Sequence, residues 1–184
     1  MCGSGTIAIE AALIAADRAP GLARTFGFQK LTWFDGPSWQ RMKQAARDRI
    51  RAAPATPGVF ASDITQAAVA KAASNARAAG IDAFLGIARA IVAARAAPAA
   101  HGTLVANPPY GIRLADREAV AAMYPRIGDT LKQRYAGWTA WLFSADKALP
   151  KLMHLKADSR TPLFNGALEC RLYQYRILAG RMVR

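Results

Sequence analysis

The segment that most restricts this chain is Asn107-Pro108-Pro109-Tyr110, which follows the apolar run Thr103-Leu104-Val105-Ala106 and leads into Gly111. The order predicts a strand, a rigid polar turn and a glycine exit. Two consecutive prolines fix φ and donate no backbone N–H, so the carbonyls of Pro108 and its neighbours are left to accept hydrogen bonds from another group. Asn107 adds a side-chain carbonyl, and Tyr110 adds a flat face on which a base can stack. Such a constellation suits an amine guest. The lone pair of an exocyclic amine is delocalised into its ring, and two acceptors that each take one N–H localise it and aim it at an electrophile. On this reading Asn107 and Pro108 orient the amine and Tyr110 stacks on the ring. The structural alternative is a stiff loop that only closes a strand, since Asn and Pro are ordinary turn residues.

Around this motif strands and helices alternate. Thr6 to Asp17 reads as a helix ending before Pro20-Gly21, then comes an aromatic loop at Phe26, Phe28, Trp33 and Phe34, and Trp39 to about Ala52 reads as a second helix. Val59 to Ser62 reads as a strand, Thr65 to Ala79 as a helix closed by Gly80, and Ala83 to Ile87 as another strand. The Ala-rich stretch to Ala100 is ambiguous. Ala119 to Tyr135 has helical spacing, Trp138 to Ser144 reads as a buried strand with Trp138 and Trp141 in the core, and Leu168 to Leu178 as the second arm of a hairpin turned at Asn165-Gly166. The alternation predicts an α/β fold with a largely parallel sheet and ligands at the carboxyl ends of its strands.

Two further segments fall at such ends. Cys2-Gly3-Ser4-Gly5-Thr6 opens the first helix, where glycines permit close approach of a cofactor to the backbone and to helix N–H groups. Asp63 ends the Val59 strand, where an acidic residue takes ribose hydroxyls; with Gln66 it also reads as a helix capping box. His101 and His154 stand apart from any carboxylate or thiol that would make them catalytic. Cys2 and Cys170 lie outside metal-ligand spacing, so no metal is expected and the thiols should be reduced.

At 184 residues and 53% hydrophobic, the chain has the length of one domain with a packed core. No apolar run of about 18 residues and no signal-peptide pattern occur, which argues against a membrane protein and for the cytoplasm. The net charge of +13 favours a polyanionic partner such as RNA or DNA. Its densest stretch is Arg41, Lys43, Arg47, Arg49 and Arg51, with Lys132 and Arg134 as a second group. Any one cluster is equally a solvated helix face.

Residues 1–12, Ala19-Pro20-Gly21, Ser62-Asp63, the segment 107–114 and Leu163 to Cys170 together resemble the S-adenosylmethionine-dependent methyltransferase domain of THUMP-containing RNA methyltransferases. The resemblance is nearest to the bacterial large-subunit (23S) ribosomal RNA guanine-N2 type, often labelled an N6-adenine-specific DNA methylase, and covers essentially the whole chain. It implies a class I (Rossmann-like) methyltransferase sheet of seven strands with an antiparallel last hairpin. It implies S-adenosylmethionine contacts at Cys2, Gly3, Gly5, Thr6, Asp63 and Asn107, an amine-binding motif at Asn107, Pro108 and Tyr110, and ribosomal RNA as partner. The reaction implied is methylation of guanine N2 on an extruded base; adenine N6 in DNA, a protein glutamine amide, or a non-catalytic remnant that binds RNA through its charge are the alternatives. Family members carry Asp-Pro just before the residue matching Met1, at the end of a central strand, and a THUMP domain before that. Residues 1–184 are therefore expected to be a single methyltransferase domain lacking its first strand, with backbone groups of the neighbouring strands left unpaired. Where the family has an acidic residue facing the cofactor's adenine, this chain has Ala88-Arg89-Ala90.

Overall fold

A computed structural model describes residues 1–109 and 114–179. Two compact units divide them, one made of Gly3–Ala61 and Ala67–Ala88, the other of Met1–Cys2, Ser62–Gln66 and the chain from Arg89 onward.

The first unit holds helix α1 (Thr6–Ala15), a 3-10 turn at Gly27–Lys30, helix α2 (Gly36–Asp48), most of strand β1 (Val59–Asp63), helix α3 (Gln66–Ala79) and most of strand β2 (Leu85–Arg89), which pairs with β1. Its core is Ala12, Leu13, Ala16, Ala76, Ile81 and Leu85, where small alanines on α1 and α3 allow close helix packing. α2 begins earlier than its apolar spacing suggests, because Asp35 caps it by accepting from the Ser38 amide at 3.0 Å and Pro37 sits in its first turn. The Asp63–Gln66 capping box does not form. α3 starts at Gln66, so Gln66 lies at the first helical position rather than the third, and the Asp63 carboxylate instead accepts from the Thr65 amide at 3.1 Å. β2 begins at Leu85 because Asp82–Phe84 close a 3-10 turn first.

The second unit is built on a four-stranded sheet of order β3-β4-β6-β5: β3 (Gly102–Ala106), β4 (Trp138–Ser144), β5 (Ser159–Asn165) and β6 (Leu168–Arg176). β3 runs parallel to β4, with Ala106 opposite Leu142, while β6 is antiparallel to both β4 and β5, giving the expected terminal hairpin. Helix α4 (Leu114–Arg134) supplies Val120, Tyr124, Ile127 and Leu131 at helical spacing to a core shared with Ala106, Trp138, Leu142, Tyr173 and Tyr175. The short helix α5 (Leu149–Leu152) adds Leu149 and, just past it, Met153. A side chain such as Leu142, 1% exposed, contributes about 1.5–3 kcal/mol by its burial, and Leu142→Ala would cost about 2–5 kcal/mol. β4 meets its expected limits because period-two burial runs its full length, with Trp138, Ala140, Leu142 and Ser144 inward. Trp141 is only half-buried, on the other face from the buried Trp138.

Candidate active site

In the second unit, β3 delivers the Asn-Pro-Pro segment. Exposure alternates from Thr103 through Pro109: Ala106 is buried, Asn107 exposed, Pro108 less than 2% exposed and Pro109 exposed. The segment thus keeps the pleat of the strand through Pro109 and does not turn where the prolines begin, as the sequence suggests it would. Proline suits this, because its fixed φ belongs to extended backbone and at the sheet edge its missing N–H breaks no ladder. Pro108 anchors the segment in the core and leaves Asn107 pointing to the opposite face. Tyr110 lies outside the described residues, as do Gly111 and Arg113.

The Tyr124 hydroxyl donates to the Pro109 carbonyl at 3.2 Å. Tyr124 is fully buried on α4, and burial raises its pKa above the usual tyrosine value, against a smaller opposing effect of its hydrogen bond with Ser144. It is therefore a neutral phenol and a secure donor near neutral pH. Ser144, at the end of β4 and 1% exposed, also accepts from the Asp146 amide at 3.0 Å. The carbonyl array that sequence reasoning leaves open is thus partly occupied: Pro109 is already bound. Tyr124 carries no sequence signal of this role, since it falls in the apolar stripe of α4 and reads as core.

Also in the second unit, Cys2 and Asp63 meet at Ser62. The Met1 amine and the Cys2 amide donate to the Ser62 carbonyl, the latter at 2.9 Å. The Asp63 carboxylate, 9% exposed as a residue, accepts from the Thr65 amide and hydroxyl at 3.1 and 3.2 Å and lies 3.5 Å from the Met1 amine. Its backbone carbonyl accepts from Ala90 at 2.8 Å. The Cys2 thiol is pushed up in pKa, chiefly by burial and with help from Asp63, against the Met1 amine and Arg95. Arg89 donates Nε to the Ile64 carbonyl at 3.0 Å and so braces the segment after β1.

In the first unit the two loop glycines differ. Gly3 has φ +54° and no atom within 4 Å of where a Cβ would stand. Gly5 has φ +86°, and a Cβ there would lie 2.9 Å from the Ala72 Cβ on α3, so this glycine has a packing reason to exist as well as a conformational one. The Asn75 amide donates to the Ser4 carbonyl at 2.9 Å, and the hydroxyls of Ser4 and Thr6 lie 3.1 Å apart. No side chain caps α1, so its leading N–H groups face outward for a polar ligand. Open space over Gly3 and an uncapped helix start fit a cofactor that needs close backbone approach. Among the described residues no three His, Cys, Asp or Glu gather as metal ligands, and no helix is long and apolar enough to cross a membrane.

Residues 1–174 match the family model described as RMKL-like, methyltransferase domain. Ribosomal RNA large subunit methyltransferase K/L of Syntrophotalea carbinolica is 38% identical over 187 residues, covering 98% of this chain and 26% of its own. The structure of SMU.472 complexed with SAH superposes with a TM-score of 0.89 at 30% identity, covering 98% of this chain and 48% of that one. A "predicted N6-adenine-specific DNA methylase" of Listeria monocytogenes str. 4b F2365 gives a TM-score of 0.86 at 32% identity, covering 96% and 45%. The chain spans about half the length of these relatives or less. Its α/β architecture is that of the Rossmann-like methyltransferases, and the chain belongs to the RMKL-like methyltransferase domain family.

Proposed function

We propose that this chain is the catalytic domain of a methyltransferase that uses S-adenosylmethionine to methylate the N2 amine of guanine in large-subunit ribosomal RNA. The observation that carries the reading is the Asn107-Pro108-Pro109 segment, anchored by a buried Pro108 and tied through its Pro109 carbonyl to Tyr124. On this proposal Asn107 and the Pro108 carbonyl each accept one N–H of the target amine, and Tyr110 stacks on the extruded base. The cofactor, when bound, supplies an electrophilic methyl on sulfonium. Gly3 and Gly5, with Cys2 and Thr6 beside them, would give backbone approach to it, Asp63 would accept its ribose hydroxyls, and Asn107 would border its methyl. No general base is required by this scheme, because the acceptors themselves localise the lone pair. The name of the K/L relatives and the charge of +13 support ribosomal RNA as the partner and the cytoplasm as the setting.

Residues 1–184 act, on the same proposal, as a single methyltransferase domain. Support comes from the family model, which spans residues 1–174.

A labelled-methyl assay comparing ribosomal RNA with DNA tests the acceptor. Incorporation into guanine N2 is expected; incorporation into adenine of DNA would favour instead the activity for which the Listeria relative is named. Calorimetry with S-adenosylmethionine tests the enzyme class, because a folded chain that does not bind it is a non-catalytic remnant. Asn107→Ala should abolish most turnover, and full activity would remove the amine clamp from the mechanism.

A further inference from the structure

In the first unit, the loop before α2 collapses its own aromatic rings together. Phe26 stacks on Phe28 with centroids 5.4 Å apart, Trp39 of α2 meets both edge-on at 5.8 and 5.2 Å, and Phe28 packs on Phe34 at 5.8 Å. This cluster fixes the loop to the helix. One aromatic is left out of it: Trp33 is 76% exposed, with Met42 at 63% close behind. Burying a tryptophan removes about 150–250 Å² from water, so a ring held in solvent by a rigid loop is ready for a flat partner. The surroundings are cationic. From Leu22 to Ala53 there are seven Lys and Arg against two Asp, and both of those acids are engaged: Asp35 caps α2, and Asp48 accepts from Gln44 at 2.7 Å. Lys43 and Arg47 stand one helical turn apart, about 6 Å between Cβ atoms, which approximates the spacing of successive phosphates on an extended strand. α2 itself buries no residue fully.

We propose that the Phe26–Phe34 loop and α2 form a docking surface for a single strand of nucleic acid, with Trp33 stacking on a base and Lys43 and Arg47 taking adjacent phosphates. By the function proposed above, on which this identification rests, the strand is the RNA flanking the target nucleotide. An exposed ring among cations is the pairing by which single strands are held without sequence preference. An acidic protein segment would satisfy the cations and leave the ring idle. Phe28 at 39% and Leu31 at 42% exposed add apolar surface in the same segment, so an anionic membrane is the rival occupant, and a preference for vesicles is the result that would show it.

The test is fluorescence anisotropy of a fluorescein-labelled oligouridylate with the whole chain at several salt concentrations. Trp33→Ala should weaken binding about tenfold with the salt slope unchanged, and Trp33→Phe should retain most of the affinity. Lys43→Gln with Arg47→Gln should lower the slope of log K against log salt by about 1.4. In the unaltered chain, a 5-bromouridine oligomer should cross-link within the tryptic peptide Leu31–Arg41, at Trp33. Equal binding by Trp33→Ala, an unchanged slope in the double variant, a cross-link elsewhere, or a preference for phosphatidylserine vesicles over RNA would each overturn the proposal. Its failure is separable from that of the function. RNA binding through Trp33 without S-adenosylhomocysteine binding by calorimetry would sink the methyltransferase reading and leave this surface standing, and the reverse result would sink the surface alone.

Discussion

Gly5→Ala and Gly3→Ala form a matched pair whose outcomes should diverge. At Gly5 the backbone sits at φ +86°, where an L residue costs about 1–2 kcal/mol. The added methyl would also stand 2.9 Å from the Ala72 Cβ and 3.3 Å from its Cα, against an ordinary carbon separation of about 3.5–4.0 Å. Ala72 is 0% exposed and its Cα belongs to α3, so neither neighbour can swing aside and the helix itself must shift. Overpacking of this kind costs about 1–3 kcal/mol, for a total of about 2–5 kcal/mol. With a urea m-value of about 2 kcal/mol/M the midpoint should fall by about 1–2.5 M. Gly3→Ala bears a backbone cost of about 1 kcal/mol and no steric one, so its midpoint should fall by only about 0.5 M. Its effect should appear in calorimetry with S-adenosylhomocysteine, where a methyl in the open space over Gly3 should weaken binding. A Gly5→Ala midpoint equal to that of the parent would refute the packing argument. Undiminished cofactor binding by Gly3→Ala would refute the close-approach role of that loop.

Tyr124→Phe removes the donor to the Pro109 carbonyl at a stability cost of about 0.5–1.5 kcal/mol; turnover should fall about tenfold in the labelled-methyl assay while cofactor affinity stays unchanged. Gly128→Ala places a methyl 2.1 Å from the Met153 backbone carbonyl, so a loss of about 3 kcal/mol or more is expected, seen as a lowered urea midpoint or insoluble chain. Asp158 has its pKa lowered below 3.8, first by the Arg176 amide it accepts from and then by the Arg176 guanidinium. A carboxylate whose folded pKa is depressed adds stability above its unfolded value and loses it as pH falls through the folded one, so Asp158→Asn should flatten the dependence of stability on pH below about 4.

The parts of this fold that were legible in the sequence are those where one local rule acts alone. β4 follows from strict alternation between Gly137 and Ser144, and the terminal hairpin from Asn165-Gly166. β5 gave no such signal, because Ser159–Asn165 is an edge strand exposed along nearly its whole length and interrupted by Pro162, so neither face is marked by burial. Errors at helix starts trace to caps: Asp35 draws α2 back to Gly36, while Asp63 spends its carboxylate on Thr65 and lets α3 begin one residue later than Thr65. The candidate site divides in the same way. Asn107, Pro108, Gly3 and Asp63 were visible as residue types at strand ends, whereas Tyr124 was not, because a hydrogen bond between a helix interior and a loop 15 residues earlier leaves no pattern in sequence.

The continuation of the pleat through Pro109 explains how one short segment can meet opposing demands. A clamp for an amine needs acceptors that do not move, and at least one of them must be reachable when the base arrives. Loops give exposure at the expense of rigidity. Here the period of two set by β3 sends Ala106 and Pro108 into the core as fixed points and leaves Asn107 exposed between them. The prolines hold that geometry past the last residue of β3, where a ladder no longer could, and lose nothing by lacking N–H groups. Tyr124 then fixes the far end by one charge-neutral hydrogen bond whose donor stays protonated because it is buried. The order Ala-Asn-Pro-Pro is therefore constrained by packing as well as by chemistry, with Ala106 and Pro108 as its buried members.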